Sequence, residues 1–172
     1  SLDKIDQNGF VFRVDTRLRP YGDSGPLVMS FDAMENYYVA VAREWERYAM
    51  IKARAIAGDK QQGEYFLKML QPFIYRRYLD YGAFESIREM KGMINQEIKR
   101  KNMADNIKLG LGGIREIEFI GQAFQLIRGG RDPELRERKI LVILNKLIEK
   151  NYLTHDIGQN LIAAYHFLRM AE

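Results

Sequence analysis

Apolar and charged side chains alternate in the stretch between Gly9 and Pro20. Because successive side chains of a strand point to opposite faces, this alternation predicts a strand with one apolar face and one charged face. The apolar set consists of Phe10, Phe12, Val14 and Leu18. Turn-forming residues fill the loop 21–26, and the short apolar run 27–29 predicts a second strand that pairs with the first as a hairpin.

The pattern changes to a helical period after Ser30, which is placed to cap a helix. Apolar positions recur at helical spacing in six segments: 31–57, 59–81 with an interruption at Pro72, 83–103, 114–128, 135–150 and 154–171. The pattern therefore predicts an α+β chain that is mostly α, with strands in residues 1–30 and a helical bundle in residues 31–172.

Composition narrows the class of protein. Hydrophobic residues make up 47% of the 172 residues, which is typical of a globular chain with one sizeable core. No run of eighteen apolar residues is present, so no membrane span is expected. The absence of cysteine fits a cytoplasmic location, and the two histidines are poorly placed for a zinc site. The net charge of +4 suits anionic ligands such as nucleotides.

The charged face of the first predicted strand has an unusual content, because Asp15 lies among arginines that include Arg17 and Arg19. One interpretation is a solvated face on which Asp15 is paired by its neighbours. The other is a metal and phosphate site, in which the carboxylate binds a divalent cation and the arginines bind phosphate oxygens. The spacing alone does not decide between them.

Two further charged residues lie where apolar neighbours are expected. Lys52 falls on the apolar stripe of its predicted helix, where it either extends to solvent at the helix end or meets a phosphate. Glu116 lies on the apolar arc of the helix 114–128, where it is either paired with a core arginine or directed into a cleft. The glycine-bearing loop 108–113 before that helix is a candidate anion site.

Three stretches together resemble a known family: VDTRLRPYGDSGPLV (residues 14–28), WERYAMIKAR (45–54) and KLGLGGIREIEF (108–119). They are similar to the bifunctional glutamine synthetase adenylyltransferase and adenylyl-removing enzymes of bacteria, and the first two resemble the N-terminal, adenylyl-removing half. The resemblance implies that residues 1–30 are the last strands of a nucleotidyltransferase sheet. It also implies removal of AMP from a tyrosine of glutamine synthetase by phosphorolysis to ADP, under control of the uridylylated PII signal protein.

The resemblance further implies a role for seven residues. Asp15 would be a catalytic carboxylate and one of three that bind Mg²⁺, next to the nucleotide, ATP or ADP. The residues expected to bind substrate or phosphate are Arg17, Arg19, Lys52, Arg54, Arg115 and Glu116.

The chain departs from the family pattern in one respect, because it has no Gly-Ser pair followed by two aspartates one residue apart. We expect that segment upstream of Ser1, so this chain would be an inactive piece of a longer enzyme. Two other classes stay open. One is a helical module that docks PII or glutamine synthetase without chemistry. The other is part of an RNA-directed nucleotidyltransferase, which the mild charge excess disfavours because it argues against nucleic acid as a partner.

Overall fold

Helices dominate the computed structural model, which describes Gly9 and residues 14–78, 81–103 and 106–172. Within these ranges the α-helices are α1 (Phe31–Ala40), α2 (Glu44–Met50), α3 (Lys60–Met69), α4 (Gln71–Ile74), α5 (Tyr81–Arg100), α6 (Ile114–Arg128), α7 (Ile140–Glu149) and α8 (His155–Ala171). Single 3-10 turns occur at Thr16–Leu18, Gly22–Ser24 and Pro133–Leu135. The predicted helical bundle is confirmed; the division of the chain at residue 30 stays a prediction.

Local signals fix several helix ends. The Ser30 hydroxyl accepts a hydrogen bond from the Ala33 amide at 3.2 Å, so the predicted cap of α1 is confirmed. Asp59 caps α3 in the same way, through the Gln62 amide at 3.1 Å. Pro72 lies in the first turn of α4, where its missing N–H costs no helical hydrogen bond.

The prediction of one helix over residues 31–57 is wrong, because the chain leaves the helical path between α1 and α2. The reason is the buried side chain of Glu46, whose Oε1 accepts from the Arg43 amide at 3.0 Å and from the Tyr37 hydroxyl at 2.9 Å. The first bond caps the start of α2, and the second ties that start to the end of α1. A buried carboxylate needs such partners, and the bend supplies two of them to Oε1, whereas Oε2 has no hydrogen-bond partner in the described residues.

The predicted β-hairpin is not found, since no strand forms in the described residues. Its positions 10–13 lie outside them, while Thr16–Leu18 is a 3-10 turn and residues 27–29 are irregular. Leu27 and Val28 are 77% and 85% exposed, so neither packs on a core. Alternation produces a strand only where a neighbouring strand accepts its ladder of hydrogen bonds, and in the described residues only Gly9 forms a β-bridge.

The core is arranged around α6. On one side Leu126 joins the cluster built by α1 to α4, which includes Tyr38, Leu70 and Ile74. On the other side Ile114 and Ile117 pack with residues of α7 and α8. The most deeply buried aliphatic side chains belong to this second half of the chain: Ile114, Leu135, Ile143, Leu144 and Leu147. None of the described helices has both the length and the apolarity that crossing a lipid bilayer requires.

Candidate functional site

Asp15 is held by its neighbour Arg17 in a two-pronged ion pair. The Arg17 guanidinium donates from Nε to Oδ1 at 2.9 Å and from Nη2 to Oδ2 at 2.8 Å, and the Arg17 amide also donates to Oδ1 at 3.0 Å. The side chain of Asp15 is 40% exposed and that of Arg17 is 72% exposed. The hydrogen bond and charge of Asp15 raise the pKa of Arg17, so the pair presents a fixed carboxylate beside a permanent cation.

A cavity of about 540 Å³ opens beside Asp15. The α5 side chains Met93 and Ile98 form part of its apolar wall, and Arg115, from the first turn of α6, lies in its lining. Two more charged residues of the lining, Glu97 and Lys101, are bound to each other at 2.9 Å. The fold therefore brings Asp15 and Arg115, which are far apart in the sequence, to one concave surface with an apolar wall. Such a cavity is of a size that small-molecule sites occupy.

Glu116 is paired, but its partner is a lysine rather than the predicted core arginine. Its Oε1 accepts from Nζ of Lys91 on α5, and its Oε2 accepts from the Gly112 amide at 2.8 Å. The lysine bond is the larger cause, and the amide bond the second, of a lowered pKa for Glu116. One amide of the glycine loop therefore donates to a carboxylate of the same chain. The loop was predicted to bind an external anion, and this donor is already used.

Lys52 also has a protein partner, because its Nζ donates to Oε1 of Glu118 on α6 at 3.1 Å. The lysine side chain is 40% exposed, so the interpretation that it reaches solvent at the helix end fits the geometry. Burial raises the pKa of the nearby Tyr48 to about 12, and the charge of Arg115 opposes that rise. The first two turns of α6 therefore carry Arg115, Glu116 and Glu118, and Lys52 binds to them through Glu118.

Two predicted residues are not part of this group. Arg19 folds its own loop, since it donates to the carbonyls of Gly25 at 3.0 Å, Thr16 at 2.7 Å and Asp23 at 3.2 Å. Arg54 lines a different cavity, which shares no lining residue with the one beside Asp15. Their predicted contact with phosphate at the Asp15 site therefore has no support from the geometry.

Sequence reasoning missed two kinds of residue near the site. Lys91 and Glu118, the partners of Glu116 and Lys52, could not be found because each pair joins different parts of the chain. Glu97 was detectable, because Arg100 and Lys101 follow it at helical i+3 and i+4 spacing. Hydrogen bonds from these two cations lower the pKa of Glu97 to about 2, and the bond from Arg100 has the larger effect.

The described residues do not suffice for the Mg²⁺ site that the resemblance implies. No group of three or more acidic, histidine or cysteine side chains among them is placed to bind a metal ion. Both carboxylate oxygens of Asp15 accept hydrogen bonds from Arg17. A hard divalent cation takes six or more oxygen ligands, and one carboxylate already bonded to a guanidinium is not such a set.

Comparison with known proteins agrees with the sequence pattern. A family model described as Glutamate-ammonia ligase adenylyltransferase matches residues 1–69, and one described as GlnD PII-uridylyltransferase matches residues 88–172. The bifunctional glutamine synthetase adenylyltransferase/adenylyl-removing enzyme of Nitrosococcus oceani is 62% identical over 171 residues, 99% of this chain. The enzymes of that name from Methylococcus capsulatus and Pseudomonas aeruginosa are each 59% identical, over 99% and 100% of it.

The chain belongs to the family of bifunctional glutamine synthetase adenylyltransferase/adenylyl-removing enzymes. It spans 18% of the length of each of these relatives.

Proposed function

We propose that this chain forms part of the site at which an adenylyl-removing enzyme splits AMP from an adenylylated tyrosine of glutamine synthetase. In the proposed reaction inorganic phosphate attacks the α-phosphorus, a new phosphorus–oxygen bond forms, and the bond to the tyrosine oxygen breaks. The products are ADP and a tyrosine that takes up one proton. The names of the relatives support the chemistry, and the form of residues 14–28 and 45–54 supports the removing half.

The observation that carries the proposal is the cavity shared by Asp15 and Arg115. Charge is spread over the equatorial phosphate oxygens in the transition state, so a guanidinium in the lining that binds these oxygens lowers the barrier. Arg115 is at the start of α6, where the helix dipole adds positive potential. The apolar wall on α5 offers a surface on which an adenine ring is removed from water.

Asp15 has the second role in the proposal. Its two oxygens accept from Arg17, so Asp15 would supply one carboxylate to a Mg²⁺ ion only if the metal replaced Arg17 as its partner and residues beyond the described ones supplied the other ligands. We therefore expect the 172-residue chain by itself to be inactive. Detection of ADP release by the purified chain, with adenylylated glutamine synthetase, phosphate and Mg²⁺ present, would refute this part.

The test uses a full-length enzyme that contains this chain. We expect Asp15→Asn to lower the rate of AMP removal at least about a hundredfold, and Arg115→Ala by about ten- to a hundredfold. Asp156→Asn is the matched control, because it removes the same charge from the exposed start of α8. Unchanged removal by both Asp15→Asn and Arg115→Ala would show that the cavity is not the reaction site. Loss of adenylylation alone would assign the chain to the other half.

Partners follow from the same proposal. The match of residues 88–172 to a model described as GlnD PII-uridylyltransferase supports a relation to PII, and we propose that the uridylylated form controls the removing reaction. A second candidate is a helical module that docks glutamine synthetase or PII, for which the protein-bound Lys52 and Glu116 would supply charged contacts. In that case Lys52→Ala and Glu116→Gln weaken partner binding, while ADP binding stays unchanged.

A further inference from the structure

A second cavity is present besides the one that Asp15 lines. It has a volume of about 440 Å³ and is bounded by the end of α2, the helices α3 and α4, and the segment around residues 136–138. Its floor is apolar and includes Ile51, Leu67 and Tyr75. No residue of its lining also lines the cavity beside Asp15, so the two are separate sites on the molecule.

Cations strongly outnumber acids in the lining of this cavity. Four of its charged residues are cations, namely Arg54, Lys68, Arg136 and Arg138, and the acid among them is Glu64. A concave surface with cations in such excess concentrates positive potential over its low-dielectric floor. The chain as a whole has only a mild excess of positive charge, so the excess of cations in this cavity is local and does not simply reflect the composition.

The four cations differ in how far the protein already satisfies them. Arg136 is committed to the fold, since it donates to the Gly129 carbonyl and to Gln71 Oε1, both at 2.7 Å, and lies over the Tyr75 ring. Arg138 makes one long bond, 3.4 Å, to the Ala53 carbonyl. The side chains of Arg54 and Lys68 make no hydrogen bond or ion pair with any residue of the described ranges. Two cations with their donors available, and a third that is weakly held, therefore line the same cavity.

We propose that this cavity is a binding site for a phosphate-bearing small molecule. Arg54, Lys68 and Arg138 supply the donors, and Arg136 holds one wall in place. A phosphate dianion is favoured over a single carboxylate because it neutralises more of the excess charge and offers three oxygens to separate donors. The volume exceeds what a bare phosphate fills, and the apolar floor accepts the organic part of the ligand.

This inference goes beyond the proposed function and does not depend on it. A phosphate ester bound here would contact Met50, the last residue of α2, and the segment that follows it, in which Lys52 pairs with Glu118 of α6. The test therefore excludes divalent metal, which removes metal-dependent nucleotide binding beside Asp15. Substitution of Arg54 and Lys68 separates the remaining binding, because neither residue lines that cavity. Its failure would leave the Asp15 proposal standing, and the reverse also holds.

The experiment is calorimetric titration of the 172-residue chain, in EDTA and low salt, with inorganic phosphate in one arm and ADP in the other. We expect both to bind, and the affinity to fall as salt is added. Arg54→Ala/Lys68→Ala is expected to weaken the affinity by at least about tenfold in each arm. Glu64→Gln is expected to change it in the opposite direction, a few-fold tighter, because it removes the acid from the lining.

The matched control is Arg88→Ala/Lys99→Ala, which removes two exposed cations of α5 that line neither cavity. Equal weakening in the control and in Arg54→Ala/Lys68→Ala would reduce the effect to net charge and overturn the proposal. So would an absence of binding to the parent chain at millimolar probe. Tighter binding of ADP than of phosphate supports the apolar floor as part of the site, whereas equal binding supports a site for the phosphate group alone. Thermal melts confirm that each variant is folded.

Discussion

Arg47 offers a sharp test of how the first half of the bundle is held together. Its side chain is 3% exposed, and its Nε and Nη2 both donate to the Ile74 carbonyl, at 3.2 and 3.1 Å. Nη1 donates to Glu44 at 2.6 Å. The guanidinium therefore joins α2 to the end of α4, where the last carbonyls of a helix have no partner within the helix.

The expected cost of Arg47→Ala follows from these contacts. The buried Ile74 carbonyl loses a charged donor, which costs about 1–3 kcal/mol. The space left by the aliphatic stem adds about 1–2 kcal/mol. The substitution also removes the desolvation cost of the buried guanidinium, which offsets part of this sum. We expect a net loss of about 3 kcal/mol in the free energy of unfolding, which corresponds to a midpoint about 6–12 °C lower for a domain of this size.

Two variants separate the contributions. Glu44 is 34% exposed and is also bound by Arg76 at 2.6 Å, so Glu44→Ala is expected to cost at most about 1 kcal/mol. Arg47→Lys keeps the charge but not the planar fork, and an intermediate cost is expected. Urea unfolding followed by circular dichroism measures all three, with the exposed Arg88→Ala as control within about 0.5 kcal/mol of the parent. If Arg47→Ala unfolds like this control, the guanidinium does not hold α4 and the reasoning is wrong.

Three further predictions concern stability. Because the bond from Lys91 lowers the pKa of Glu116, the pair stabilises the fold above the ordinary value of 4.5 and loses this effect as pH falls through the lower folded value. The difference in unfolding free energy between the parent and Glu116→Gln should therefore be constant near neutrality and shrink below pH 4.5; a difference independent of pH would contradict the pairing. Gly130→Ala should destabilise by about 1–3 kcal/mol, because a Cβ there lies 2.0 Å from the backbone oxygen of Arg76; a neutral result in urea unfolding would exclude that close approach. Leu144→Ala, at a fully buried position, should cost about 2–5 kcal/mol in the same assay, and a cost under 1 kcal/mol would place Leu144 outside the core.

The candidate site was only partly accessible to prediction. The charged surroundings of Asp15 singled it out in the sequence, the family resemblance added Arg115, and the structure places both on one cavity. The sequence also singled out Arg19 and Arg54, which lie apart from that cavity: one donates to three carbonyls of its own loop and the other faces a second cavity. Residue type shows that an arginine can bind phosphate, but its partner depends on which acceptors the folded chain brings near.

The sequence alone determined those features that depend only on residues close to each other along the chain. The Ser30 cap and the span of α6 follow from hydrogen bonds and periodicity within a few residues, and the relatives confirm the family that three short stretches indicated. Tertiary structure decided the rest. The chain bends between α1 and α2 where the buried Oε1 of Glu46 accepts from Tyr37 and Arg43, and Lys91 pairs with Glu116 because α5 packs near the start of α6. Both outcomes depend on desolvation, which exists only after distant segments have come together.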